Sequence, residues 1–330
     1  MPGAAGSSAL PVVVIGSGLA GYAVAREFRK LDSDTPLLLL SRDHGGFYSK
    51  PMLSNALAGQ KTAASLLMKS ADKMASELKA DIRAGEPVGA IDTTARTVTT
   101  GDGEVIAYRD LVLALGADPM RPPLAGDAAD AVFSVNDLDD YARFADTLDG
   151  AKSVAILGAG LIGCEFANDL LHRGIASTVL DVADRPLSRL LPAEASVWLR
   201  ERLEAAGVSF RLGVAASRVD RAHGGGVRLA LSDGGALHAD GVLSAIGLQP
   251  RTALAKAAGL AIARGITTDR ALATSAPHVW AVGDCAEVMG LNLPYVMPLM
   301  QQSRALAATL CGSVTPVAYP AMPVLVKTPA

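Results

Sequence analysis

The chain has 330 residues, half of them apolar, and a net charge of -3, so it is long enough for two domains of about 150 residues with a core in each. With no lysine or arginine run it lacks the electrostatic footprint of a nucleic-acid binder. With no basic leader segment and no apolar run near ~20 residues it predicts neither a signal peptide nor a membrane span, and the cytoplasm is the expected address.

In chain order, residues 12–16 predict a buried parallel strand, and residues 19–31 a helix with Ala20, Ala23, Val24, Phe28 and Leu31 on one face. Between them Gly16-Ser17-Gly18-Leu19-Ala20-Gly21 spells GxGxxG in a strand-turn-helix setting, the dinucleotide fingerprint. Residues 37–40 form the next strand, and Ser41-Arg42-Asp43 follow it. Asp43 lies slightly late for a ribose contact, so which side chain meets that ribose stays open. Gly45 and Gly46 lead into a loop over 47–54 that mixes aromatic, cation and proline, followed by a helical stretch near 62–79. Alternation over 82–108 around Gly101-Asp102-Gly103 predicts an antiparallel hairpin. A strand ending at Gly116 and a proline-rich stretch at 119–123 resemble a domain crossover.

The fingerprint then recurs 142 positions later as Gly158-Ala159-Gly160-Leu161-Ile162-Gly163. The same plan repeats: helix 161–172, strand 178–181 ending in Asp181, helix 193–206, a hairpin around Gly224-Gly225-Gly226, and a strand over 240–247 ending at Gly247. A strand over 278–283 returns to the first domain, and Pro298 opens a helix running to about Leu310. The fold class is therefore α/β with two Rossmann-like dinucleotide-binding domains. The first occupies 1–113 and 242–313, the second is inserted at 114–241, and 314–330 begins a C-terminal interface domain that is cut short.

In each fingerprint the glycines let the backbone approach a pyrophosphate, and amides at the helix N-terminus hold its charge. Two dinucleotides in one polypeptide imply an electron path, hence a flavin- and nicotinamide-dependent oxidoreductase. Asp181 stands at the ~20-residue distance where a carboxylate accepts from a ribose 2′-OH and repels a 2′-phosphate, which favours NADH over NADPH. Arg185 and Arg189 follow and pull toward a phosphate. Asp284, just past Gly283, either binds a ribityl hydroxyl of FAD or caps the next turn. The helix opening at Pro298 would aim its positive end at the flavin N1–O2 edge. Glu165, in the first turn of its helix, fits dipole complementarity as well as a site role, and Lys50 fits a solvated loop as well.

Cys164, Cys285 and Cys311 stand in no CxxC or CxxxxC spacing, which argues against a disulfide framework and against dithiol-using flavoenzymes. The five histidines, His44, His172, His223, His238 and His278, show no metal-ligand spacing, and no metal is expected.

Four segments, SKPMLS at 49–54, LGAGLIGCEFAND at 157–169, AVGDCAEV at 281–288 and LNLPYVMPLM at 291–300, together resemble the two-dinucleotide flavoproteins that serve as NADH-dependent ferredoxin and rubredoxin reductases. The resemblance spans essentially the whole chain; the fingerprints are widely shared, whereas SKPMLS and YVMPLM are much narrower. It implies bound FAD, NADH as substrate, hydride transfer to FAD N5, and single electrons passed to rubredoxin or a similar small iron-sulfur protein. In bacterial relatives this feeds a membrane alkane hydroxylase. It further implies that Ser17, Gly18, Leu19, Ala20, Arg42, Asp43, Lys50, Val88, Asp284, Val296 and Lys327 contact FAD; a monomer is expected. Glu165 would lie beside Lys50 near the nicotinamide-flavin stack. Those two are the residues expected at the reacting centre, supplying position and charge. Gly16, Gly21, Gly116, Glu165 and Gly283 complete the expected FAD set, while Gly158, Gly160, Leu161, Ile162, Gly163, Glu165 again, Asp181 and Gly247 form the NAD set.

Two departures stand out: the wider group places arginine at the Lys50 position and lysine at the Asn55 position, and relatives continue into a small further domain. Three other readings share the architecture: a [2Fe–2S] ferredoxin reductase of an oxygenase, an NADH-sensing binding protein resembling apoptosis-inducing factor, and an NADH oxidase.

Overall fold

The computed structural model describes residues 9–323 and 325–329. The chain forms two compact units: one comprises Met1–Tyr48, Leu67–Asp118 and Gln249–Met322, the other Ser49–Leu66, Pro119–Leu248 and Pro323–Ala330. The main crossings fall after Asp118 and after Leu248, rather than near 113 and 241, and the segments 49–66 and 323–330 group with the second unit. Strand patterns mark where a strand ends but not which body the following coil packs upon.

The first unit is built on a five-stranded parallel sheet in the order Val279–Ala281, Asp110–Leu113, Val12–Ile15, Leu37–Ser41, Asp81–Ala84. Every residue of Val12–Ile15, Leu37–Ser41 and Asp110–Leu113 is buried, as the continuous apolar runs of a sheet covered on both faces require. Helix Leu19–Leu31 buries Tyr22, Ala23, Val24 and Phe28. Leu31, expected on that face, is 59% exposed because the buried stripe ends a turn earlier.

A smaller antiparallel sheet joins Val88–Asp92, Thr97–Thr100 and Val105–Ala107. The helical stretch near 62–79 is two helices, Ala63–Leu66 in the second unit and Ala71–Leu78 in the first. Ser70 caps the latter by accepting the Lys73 N–H, a non-helical residue that prevents one continuous helix. The last helix, Val296–Leu310, starts two residues before Pro298. The proline lies in the first turn, where its missing N–H has no intrahelical partner to lose.

The second unit repeats the plan with a parallel sheet in the order Ser209–Leu212, Ala176–Asp181, Ser153–Leu157, Gly241–Ser244, Val132–Phe133. Helices Leu161–Leu171 and Ala193–Ala205 follow its strands, and Ala216–Arg221, Val227–Leu231 and Ala236–Ala239 form an antiparallel side sheet. Its core gathers Ala155, Leu157, Leu180, Val219, Leu229 and Val242. Lys50–Asn55, read from sequence as part of a loop, is a short 3-10 helix.

Candidate functional site

In the first unit, Gly16 has φ +112°, and a Cβ there would sit 2.3 Å from the Ala114 carbonyl oxygen. A Cβ on Gly21 would come within 1.9 Å of the Gly16 oxygen, so only glycine lets the helix start against the strand. Gly18 is different: its Cβ would meet no atom within 4 Å. It is also the N-cap of helix Leu19–Leu31, with no side-chain cap and no acid in the first turn. Uncapped amides facing a glycine-lined opening are what a pyrophosphate needs, and the first fingerprint fits that group.

Beside this turn a short polar chain ends on Asp43. The Ser17 and Ser41 hydroxyls are 2.6 Å apart, and Ser41 Oγ donates to Asp43 Oδ1 at 2.7 Å. Ser17 Oγ at 3.2 Å and the Gly45 N–H at 2.9 Å donate to the same oxygen. Burial pushes the Asp43 carboxyl up, but the bonds from Ser41, Gly45 and Ser17, with the charge of His44, bring it below its ordinary value.

Gly283, at φ +78°, brings the backbone so near the fingerprint helix that a Cβ would lie 2.7 Å from Ala20 Cβ, which carries Asp284 to the start of that helix. The Gly283 N–H donates to Gln302 Oε1 at 2.7 Å, and Gln302 Nε2 donates to Tyr319 Oη at 2.9 Å. Gln302, 2% exposed, is a support that the sequence does not single out. Val296 is the first residue of its helix, which again has no side-chain cap. Arg42 lies 3.8 Å from Asp118, a carboxylate shared with Arg251 at 2.6 Å. Gly116, at φ +73°, accepts the Arg251 N–H through its carbonyl at 3.0 Å. Val88 is half-buried at the start of its strand.

The second unit reproduces the glycine frame. Gly158 has φ +106° with a Cβ position 2.6 Å from the Ala245 oxygen, Gly163 would meet the Gly158 oxygen at 1.9 Å, and Gly160 faces open space. Gly160 caps helix Leu161–Leu171 without a side-chain bond, so this turn also fits a pyrophosphate. Leu161 is half-buried and Ile162 exposed on the first turn. Asp181 Oδ2 accepts the Ala159 N–H at 2.6 Å and Oδ1 the Ala183 N–H at 2.8 Å, and each oxygen retains a second acceptor site. Arg185 pairs with Asp184 at 2.9 Å, and Arg189 is exposed. The Gly247 carbonyl accepts the Met120 N–H at 3.0 Å.

Also within the second unit, Glu165 is 1% exposed and fully engaged. Its Oε2 accepts from Ser54 Oγ at 2.5 Å and lies 3.0 Å from Lys327 Nζ; its Oε1 accepts the Lys327 N–H at 3.0 Å. Lys327 Nζ donates to the Pro51 carbonyl and lies 3.4 Å from Ser54 Oγ. Asn55 Nδ2 donates to the Lys327 carbonyl at 3.3 Å. Lys50 Nζ donates to Asn136 Oδ1 at 2.6 Å, and the Asn136 N–H donates to Asp140 at 3.0 Å. Glu165 is thus salt-bridged to Lys327, a residue the resemblance assigned to FAD alone. Ser54 and Asn136 are members that the sequence does not mark.

Cys164 and Cys285 are buried, and burial pushes their thiols up to about 12 and about 11. Neither is a thiolate at neutral pH, as thiol-disulfide exchange requires. Among the described residues no group of acids, cysteines and histidines could hold a metal, and no helix is long and apolar enough to cross a membrane.

Residues 10–307 match the family model described as pyridine nucleotide-disulphide oxidoreductase. The chain is 51% identical over 320 residues to a rubredoxin-NAD(+) reductase of Alcanivorax borkumensis, covering 97% of this chain and 84% of that one. It is 48% identical over 326 residues to a rubredoxin-NAD(+) reductase of Acinetobacter baylyi, covering 97% and 83%. A ferredoxin reductase structure from Rhodopseudomonas palustris superposes with a TM-score of 0.88 at 30% identity, covering 94% of this chain and 78% of that one.

Proposed function

The chain belongs to the pyridine nucleotide-disulphide oxidoreductase family, and from that premise we propose that it is an NADH-dependent, FAD-containing reductase of rubredoxin. The observation that carries the reading is the pair of open, uncapped glycine turns at Gly18 and Gly160, one for each dinucleotide, in a chain half identical to a rubredoxin-NAD(+) reductase. FAD, when bound, supplies the chemistry that accepts a hydride from NADH and releases electrons singly.

The protein's own residues bind and orient. In the first unit Gly16, Gly18 and Gly21 with the amides of the first helical turn hold the FAD pyrophosphate. The Ser17–Ser41–Asp43 chain presents polar groups to its ribose, and Asp284 takes a ribityl hydroxyl. In the second unit Gly158, Gly160 and Gly163 hold the NADH pyrophosphate, and Asp181 takes the ribose 2′-OH and repels a 2′-phosphate. Glu165 and Lys50 set charge at the reacting end, and Lys327 and Ser54 keep the Glu165 carboxylate paired in a buried position that an isolated charge would not tolerate. Burial pushes the Cys164 and Cys285 thiols up, which argues against thiol-disulfide exchange at either of them. We place the protein in the cytoplasm as a monomer, supplying electrons to an alkane-oxidising system.

The test is anaerobic reduction of oxidised rubredoxin by NADH with the FAD-loaded protein, beside a [2Fe–2S] ferredoxin. Faster turnover of rubredoxin is expected. Preference for the ferredoxin would move the assignment toward the reductases represented by the Rhodopseudomonas palustris structure, and electrons passed only to a dye or to oxygen would end it.

A further inference from the structure

Helix Leu161–Leu171 buries a second carboxylate whose purpose the proposed reaction does not explain. Asp169 stands four residues after Glu165, on the same helix face, and is 1% exposed. Its Oδ2 accepts the Leu57 N–H at 2.7 Å and its Oδ1 the Ala58 N–H at 2.9 Å. Those amides come one residue after the end of the 3-10 helix Lys50–Asn55, and the intervening Ala56 is fully buried. One helix face therefore grips this segment twice, through Glu165 on the Ser54 hydroxyl at 2.5 Å and through Asp169 on two successive amides. A third tie comes from Tyr141 Oη, which donates to the Lys61 carbonyl at 2.7 Å.

A six-residue 3-10 helix is weakly held by its own bonds. Fixing the side chains that it carries therefore depends on such ties. The placement is also energetically unfavourable for an acid: burial pushes the Asp169 carboxyl above its ordinary value despite the two amides that pull it down. An apolar residue there would leave the Leu57 and Ala58 amides without the acceptor that the carboxylate supplies.

We propose that Asp169 is a positioning residue that clamps residues 50–58 to the second fingerprint helix and thereby sets Lys50 and Ser54 around Glu165. The proposal rests on the reading of Glu165 and Lys50 as the charged pair at the reacting end. It assigns Asp169 no contact with either nucleotide. Asparagine retains one carbonyl acceptor and satisfies one of the two amides, whereas alanine satisfies neither.

The experiment compares the FAD-loaded full chain with Asp169→Ala, Asp169→Asn and Glu165→Gln, using backbone hydrogen exchange by mass spectrometry and single-turnover reduction of the flavin by NADH. Asp169→Ala is expected to speed exchange in the 50–58 peptide about tenfold, with the 10–40 and 150–160 peptides unchanged. Flavin reduction at saturating NADH should slow about tenfold with little change in the NADH concentration giving half-maximal rate. Asp169→Asn, which also serves if the alanine variant does not fold, should fall between. Unchanged exchange over 50–58, or faster exchange with a wild-type reduction rate, overturns the proposal. Glu165→Gln reads the underlying assignment separately: if it leaves flavin reduction at the wild-type rate, the reading of the Glu165 site fails, while the exchange data on the Asp169 variants still decide the clamp.

Discussion

The two fingerprint turns have the same backbone frame and different chemistry at the end of the strand that follows each. In both units the first glycine takes a positive φ against a neighbouring carbonyl, the third abuts the first at a 1.9 Å Cβ approach, and the second faces open space. The strands also align, since Ile15 pairs with Leu40 and Leu157 with Leu180, which puts Ser41 in register with Asp181. At Asp181 a carboxylate bonds directly to the amide of Ala159, the middle residue of its Gly-Ala-Gly. At Ser41 the acid has moved two residues on, and Ser17 and Ser41 bridge to it. The glycine pattern is imposed by backbone sterics and so repeats. The end of the second strand is set by side chains and is free to diverge, as the proposed division between FAD in the first unit and NADH in the second requires.

Exchanging the close-packed glycines is the most forceful way to break this comparison. Gly21→Ala and Gly163→Ala each force a methyl to within 1.9 Å of a carbonyl oxygen, overpacking that costs about 1–3 kcal/mol or more. Gly21→Ala should yield protein without flavin colour. Gly163→Ala should keep its flavin but be reduced by NADH about a hundredfold more slowly at low NADH, a loss near 2.7 kcal/mol. Equal loss of flavin in both would dissolve the division of labour.

The open glycines sharpen the same contrast. Gly18→Ala and Gly160→Ala meet nothing in the protein, so thermal midpoints should move by no more than about 2 °C, the order of shift that ~1 kcal/mol produces in a chain of 330 residues. Nucleotide binding should still fail unit by unit, read as FAD affinity for the first and NADH KM for the second. A stable Gly160→Ala protein with wild-type KM would show that no pyrophosphate approaches there.

A smaller effect is expected from Asp181→Asn, which weakens one charge-assisted bond worth about 1.5–3 kcal/mol. NADH kcat/KM should fall about tenfold or more, and NADPH should lose less, measured as the ratio of the two. An unchanged ratio would remove Asp181 from nucleotide selection.

The smallest effect concerns Asp43. Its folded-state pKa lies below the ordinary value, so ionised Asp43 contributes stability that is present above the unfolded pKa of about 3.9 and is lost as pH falls through the folded value. Asp43→Asn should lower the thermal midpoint slightly at pH 7, and the gap from wild type should close in acid. A gap that widens in acid would have the wrong sign.

How far the sequence reaches is clearest at particular residues. The glycine frame, both parallel strand runs and the side-sheet hairpins are legible because steric and period-two signals are local. The start of the last helix is misjudged by two residues because Pro298 is tolerated within a first turn as well as at its first position. The surroundings of Glu165 are not legible. Lys327 reaches it from 162 positions away, and Ser54 and Asp169 owe their roles to the packing of 49–66 on a helix more than a hundred residues downstream. No local period encodes such contacts. The resemblance placed Lys50 beside Glu165, and only the structure pairs that acid with Lys327.

The central claim is that one chain holds a flavin and accepts electrons from NADH into it. It is tested most directly by loading purified protein with FAD, removing the excess, and titrating with NADH under anaerobic conditions while following the flavin absorbance. One FAD retained per chain and bleached by one equivalent of NADH is the result predicted. A protein that retains no flavin, or retains it and stays yellow in excess NADH, would contradict the account.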